Sequence, residues 1–238
     1  MKFDDVRKLH LKKYREEFGH FLVEGEHLVL ELQKAALHNP LLRHCELYVS
    51  AQHAHWRSPF TTHVIGDAQM AQLADTRTPQ GIVALVPILP GAAPGPDARA
   101  IYLYEIQDPG NLGTILRTLA WFGHFRCLLS PGSVDPYNSK VVRASMGAIF
   151  HVPMELDVTL ESLRRFQHLA CLALQGESLQ SPRFKTFDCY LFGNEARGLP
   201  REQLTALGAQ PFTIAGGGAV ESLNLASAVN MCVYELNR

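Results

Sequence analysis

Three short stretches combine residues able to do polar chemistry with the glycines and turn formers that follow a strand. The first, Gln107-Asp108-Pro109-Gly110-Asn111-Leu112-Gly113, opens a helical pattern that carries Arg117. On that helix Ile115, Leu116, Leu119 and Ala120 share an apolar face, and Arg117 lies about 200° round from Ile115. Helical side chains lean toward the N-terminus, so the guanidinium points back toward Asn111, where free N–H groups favour an anion such as a phosphate. A surface arginine and a capping asparagine describe the same residues. In the second stretch, Gly193-Asn194-Glu195-Ala196-Arg197-Gly198-Leu199-Pro200, a carboxylate stands between two glycines directly after an apolar run. Gly193 there lets a ligand approach the backbone and Glu195 orients a neighbouring loop or a hydroxyl; a plain turn with a solvated acid fits equally. The third runs Ala215-Gly216-Gly217-Gly218-Ala219-Val220-Glu221-Ser222-Leu223-Asn224. Ser222 suits a helix cap, and the Asn224 amide offers a ligand both donor and acceptor.

These loops need a scaffold that places them together. Strand patterns cover Ala100 to Ile106, Arg126 to Leu129, Leu169 to Leu174, Cys189 to Phe192 and Gln210 to Ile214, with helices over Leu112 to Phe122 and from about Ser222 to Leu236. Alternating strands and helices predict an α/β domain with a mostly parallel sheet, whose C-terminal strand ends are where such folds bind ligands. Neither G-x-x-x-x-G-K-[ST] nor G-x-G-x-x-G stands between a strand and a helix, which argues against a nucleoside triphosphate or a dinucleotide oxidoreductase site.

Before this domain a helix over Leu28 to Leu37 and strands over Glu46 to Ser50 and Gly81 to Val86 predict a smaller α/β unit. Four prolines and two glycines between Pro87 and Arg99 interrupt regular structure. The predicted organisation is a domain over residues 1–88, a linker over 89–98 and a catalytic domain over 99–238.

Lys plus Arg number 22 against 23 acidic residues, so any surface for nucleic acid must be local. The candidates are the N-terminal run Arg7, Lys8, Lys12, Lys13 and Arg15, diluted by Glu16 and Glu17, and the pair Lys140 and Arg143 among small residues. Both also describe solvated helix faces. Five cysteines without a C-x-x-C pair suit reduced thiols rather than zinc or disulfides. With no long apolar run, the expectation is a soluble, cytoplasmic protein.

Taken together, NLGTILRT (111–118), LFGNEARGLP (191–200) and ESLNLASAVNMCVYEL (221–236) resemble, in order and spacing, the three signature motifs of the SpoU (TrmH) family of the SPOUT superfamily. PGSVDPYNSKVVRASMGAIF extends the match, and FLVEGEHLVLEL with TPQGIVALV is similar to the small RNA-binding domain often found ahead of this catalytic domain. The resemblance implies an α/β-knot, a mostly parallel sheet with a deep trefoil knot, in a homodimer without a catalytic metal. It further implies that S-adenosylmethionine binds in the knot, its adenosine held by the backbone at Gly193, Ile214 and Leu223, with Ser222 and Asn224 beside it. By the same match Asn111, Arg117, Glu195, Ser222 and Asn224 occupy functional positions in methyl transfer to a ribose 2′-hydroxyl. Residues 215–220 depart from the family's usual proline-bearing stretch. The N-terminal domain favours ribosomal over transfer RNA as substrate; a non-catalytic RNA-binding or ribosome-assembly factor is the alternative, opposed by the intact polar residues.

Overall fold

The computed structural model describes residues 1–89, 95 and 98–238. In chain order it forms α1 (Phe3–Val6), α2 (Lys12–Phe18), β1 (His20–Glu24), α3 (Glu26–His38), β2 (Glu46–Val49), β3 (Thr61–Val64), α4 (Asp67–Leu73) and β4 (Ile82–Pro87). There follow β5 (Arg99–Leu103), α5 (Pro109–Phe122), β6 (Phe125–Leu129), α6 (Ser139–Ser145), β7 (Met154–Glu155), β8 (Leu169–Ser178), β9 (Cys189–Phe192), α7 (Arg201–Leu207), β10 (Gln210–Thr213) and α8 (Leu225–Asn237). The predicted linker over 89–98 falls almost wholly outside the described residues. Two compact units emerge: residues 1–89 with Asp135–His151, and residues 98–134 with 152–238.

The first unit is built on a four-stranded sheet of order β1-β4-β2-β3. β4 runs antiparallel to both neighbours, and its central position explains the unbroken apolar run Ile82 to Val86, every residue of which is buried. β1 and the polar edge strand β3 were not foreseen; β3 carries no buried residue to betray it. α3 covers the sheet with Leu28, Val29, Leu32, Ala35 and Ala36, one face of a helix. The segment Asp135–His151, assigned by the patterning to the catalytic domain, packs in this unit. Asp135 meets Arg15, Tyr137 packs on Phe21 with ring centroids 4.9 Å apart, and Asp75 accepts from Ser139 Oγ at 2.8 Å and Arg143 at 3.0 Å.

The second unit is the predicted parallel sheet, six strands in the order β10-β8-β9-β5-β6-β7. Its central strands β5 and β9 are buried almost end to end, and buried Tyr102 and Tyr190 each donate their hydroxyl to a carbonyl, Val158 at 3.1 Å and Phe184 at 2.7 Å. The chain leaves β5 toward β6 on one side and returns to β9 on the other, so the loops after β5 and β9 flank a reversal of strand order, where open sheets bind ligands. β5 ends at Leu103, before the expected Ile106, because Glu105 turns to a φ of 48°. β8 runs on to Ser178 with a slip opposite Pro211 and Phe212, which leaves Leu172 to Gly176 outside the ladder. All five cysteines are free and buried; burial disfavours the thiolate and pushes the thiols of Cys45, Cys127 and Cys232 up to about 12. Among the described residues no helix is long and apolar enough to cross a membrane.

Candidate functional site

The loop after β5 turns into α5 through Asp108, whose carboxylate caps the helix by accepting from Asn111 N at 2.7 Å, with Pro109 at the first helical position. Asp108, not Asn111, is therefore the cap. This frees the Asn111 side chain, which donates to Glu195 Oε1 at 3.2 Å and accepts from Asn224 Nδ2 at 3.0 Å. Glu195 also accepts from the backbone N–H groups of Gln107 (3.3 Å) and Asp108 (3.4 Å). One residue from each of the three loops thus meets in a single polar network in the second unit.

The carrier of Glu195 is a tight, self-closed turn. Asn194 and Gly198 exchange backbone hydrogen bonds at 3.1 and 2.8 Å, while Asn194 Oδ1 accepts from the N–H groups of Ala196 and Arg197, both at 3.0 Å. A Cβ on Gly193 would lie 2.4 Å from the Gly198 carbonyl carbon, so the glycine is required by this turn itself. Arg197 pairs with the Glu105 carboxylate.

The last loop differs from expectation at its end. α8 starts at Leu225 rather than Ser222, and Asn224 is its cap, accepting from Ser227 N at 3.2 Å. Ser222 is therefore not the cap: it lies two residues before that position, exposed, with its hydroxyl unpaired among the described residues. Between Ile214 and Leu223 no backbone group bonds to another among the described residues. Arg117 is exposed on α5 and makes no hydrogen bond or ion pair among them, so the network does not include it. Gly193, Ile214 and Leu223 likewise contribute no side-chain contact to it.

Sequence reasoning missed Glu105, Gln107 and Asn194. Gln107 Nε2 donates to the carbonyls of Glu105 (2.9 Å) and Gly132 (2.8 Å), and Asn194 Nδ2 to that of Glu105 (2.8 Å). Amides in turns are too common to stand out; the only available signal was their place directly after two buried strands.

The candidate RNA-facing cations are unequally free. Arg7 pairs with Asp4 at 3.2 Å, Lys8 with Asp5 at 2.8 Å, Lys12 with Glu16 at 3.5 Å and Arg143 with Asp75 at 3.0 Å. Lys13 lies 5.6 Å from the Tyr14 ring, and Lys140 makes no ion pair among the described residues. Arg15 corrects the expectation: 5% exposed, it donates to Asp135 through Nε at 2.9 Å and to the carbonyls of Leu9 and His10. A guanidinium with its donors so engaged cannot serve as a phosphate contact.

Residues 98–234 match the family model of the SpoU rRNA Methylase family, and residues 2–84 match that of the MRM3-like substrate binding domain. The chain is 32% identical to an uncharacterized tRNA/rRNA methyltransferase of Synechocystis, over 98% of this chain and 89% of the relative. It is 29% identical to the 23S rRNA (guanosine(2553)-2′-O)-methyltransferase of Bacillus subtilis, over 99% and 95%. Among solved structures, an RNA methyltransferase assigned to the TrmH family from Porphyromonas gingivalis superposes with a TM-score of 0.83 at 30% identity, covering 99% of this chain and 96% of that one. An AdoMet-bound rRNA methyltransferase from Sinorhizobium meliloti gives 0.80 at 26%, covering 98% and 93%.

Proposed function

The chain belongs to the SpoU rRNA Methylase family and is an S-adenosylmethionine-dependent RNA methyltransferase, and on that premise we propose that it methylates a ribose 2′-hydroxyl of ribosomal RNA at the site built from its three loops. The observation that carries this reading is the meeting of Asn111, Glu195 and Asn224. The match of the first unit to a substrate-binding domain, and the activity named for the Bacillus subtilis relative, favour ribosomal RNA.

The residues fit the methyl donor. Adenosine offers donors and acceptors to peptide groups, and the stretch from Ile214 to Leu223 keeps its own backbone groups uncommitted. Ile214, Leu223 and Gly193 would hold the adenosine, with Ser222 and Asn224 beside it. When bound, the donor supplies a methyl group on a sulfonium sulfur, ready for attack by an oxygen.

The ribose hydroxyl is a poor nucleophile, so the chain's task is to hold it in line and stabilise the charge it develops as its proton passes to solvent. Arg117 takes that role by gripping the adjoining phosphate. A guanidinium stays charged below a pH of about 12 and is suited to stabilising an alkoxide rather than removing a proton. Asn111, Glu195 and Asn224 fix the loops around it. Lys13, Lys140 and the surface cations Arg7, Lys8, Lys12 and Arg143 contribute to RNA affinity.

The active form is a homodimer, and the support is an exposed apolar surface: Trp121 on α5 with Met231 and Tyr234 on α8, two helices that pack together. The loops after β9 and β10 form the deep knot that the resemblance implies, a reading supported by α8, which follows the edge strand β10 yet packs on α5, the helix after central β5. Five free thiols suit the reducing cytoplasm.

Incubation with labelled S-adenosylmethionine and unmodified ribosomal RNA should yield label that resists alkaline cleavage of the adjoining phosphodiester, and transfer RNA should take up none. Arg117→Ala should abolish that turnover while calorimetry finds cofactor affinity nearly unchanged. Wild-type turnover in this variant would remove Arg117 from the mechanism.

A further inference from the structure

We infer that Asn194 is a positioning residue for the methyl transfer and acts through Glu195. The inference rests on the functional reading of the three-loop network and assigns a task to a side chain outside it. Asn194 is 6% exposed, so its polar atoms must find partners inside the protein, and all of them do. Its Oδ1 holds the N–H groups of Ala196 and Arg197, which shapes the turn and sets Glu195 on its exposed side. Its Nδ2 donates across to the Glu105 carbonyl at 2.8 Å, a shorter contact than any Glu195 itself makes.

Glu105 is a telling anchor. Its φ of 48° is a backbone state that non-glycine residues rarely adopt, and it persists only where the surroundings over-determine it. Here the surroundings are the Ser130 hydroxyl on its N–H at 2.7 Å, the amides of Asn194 and Gln107 on its carbonyl, and Arg197 on its carboxylate. From that bend the chain passes directly to Gln107 and Asp108, whose N–H groups donate to Glu195. One amide therefore ties the loop that bears the carboxylate to the loop that bears its donors. The three contacts of Glu195, at 3.2 to 3.4 Å, lie at the outer edge of hydrogen-bonding distance, so a loop shift of about half an ångström breaks them.

The test is a double-mutant cycle on the full-length protein with ribosomal RNA as substrate. Asn194→Ala should lower kcat by about ten- to a hundredfold, the cost of a misplaced group, with cofactor affinity by calorimetry within about threefold of wild type. Glu195→Ala should cause a comparable loss, and the double variant should be no worse than Glu195→Ala alone. Losses that multiply in the double variant, or full turnover of Asn194→Ala, would overturn the inference. Should Asn194→Ala fail to fold, Asn194→Ser retains an oxygen for the turn N–H groups but is too short to reach Glu105, and the same loss is expected. A second readout needs no turnover: the Asn111 side-chain amide resonance should move in Asn194→Ala in the direction it moves in Glu195→Ala, and an unmoved resonance would count against the inference. If the wild type leaves ribosomal RNA unlabelled, the substrate reading fails while the resonance still reports whether Asn194 positions Glu195.

Discussion

At the scale of single residues, charge type predicts solvent contact poorly. Arg15 reads in sequence as one more cation of an N-terminal run, yet it is the buried member of a pair with Asp135, 120 positions away. Removing one partner of such a pair leaves the other charge, here a carboxylate 11% exposed, with little access to water, which for a buried pair typically costs about 3–5 kcal/mol. Arg15→Ala should therefore lower unfolding stability by an amount of that order in urea titrations, whereas Lys13→Ala, on the surface, should stay within about 0.5 kcal/mol. Loss of RNA affinity in Arg15→Ala without loss of stability would show that Arg15 contacts RNA rather than stabilising the fold. Asn111, Glu195 and Asn224 were legible because each is polar and lies in a glycine-bearing loop that succeeds an apolar strand. Asn194 was not, because nothing in an asparagine within a turn says whether its amide faces water or a carbonyl on another loop.

At the scale of elements, the beginnings of helices carried more of the site than their lengths. Asn224 does two things at once: its Oδ1 caps α8 and its Nδ2 donates to Asn111. The two duties separate by substitution. Asn224→Asp keeps the capping acceptor and removes the donor, so thermal stability should hold while turnover falls. Asn224→Ala removes both and should lose about 1 kcal/mol of stability as well. Equal stability of the two variants would mean that the cap contributes nothing. Element ends were also where expectation and structure parted: β5 stops at the bend of Glu105 and β8 slips against β10, events set by neighbouring backbone rather than by the apolar pattern.

At the scale of the whole molecule, exposed Trp121, Met231 and Tyr234 define the surface proposed to join two copies. Trp121→Asp should shift sedimentation equilibrium toward the monomer mass; an unchanged mass would move the interface elsewhere. The sequence by itself determined the parallel sheet, the small unit ahead of it, the three loops and the family, because apolar period, turn residues and motif order are local properties written along the chain. Only the tertiary structure decided that Asp135–His151 packs with the first unit and that Arg15 is an internal ion pair. It alone decided that Asn194 and Glu105 join the loops around Glu195. Those facts depend on which distant groups exclude water from one another, and no local pattern carries that information.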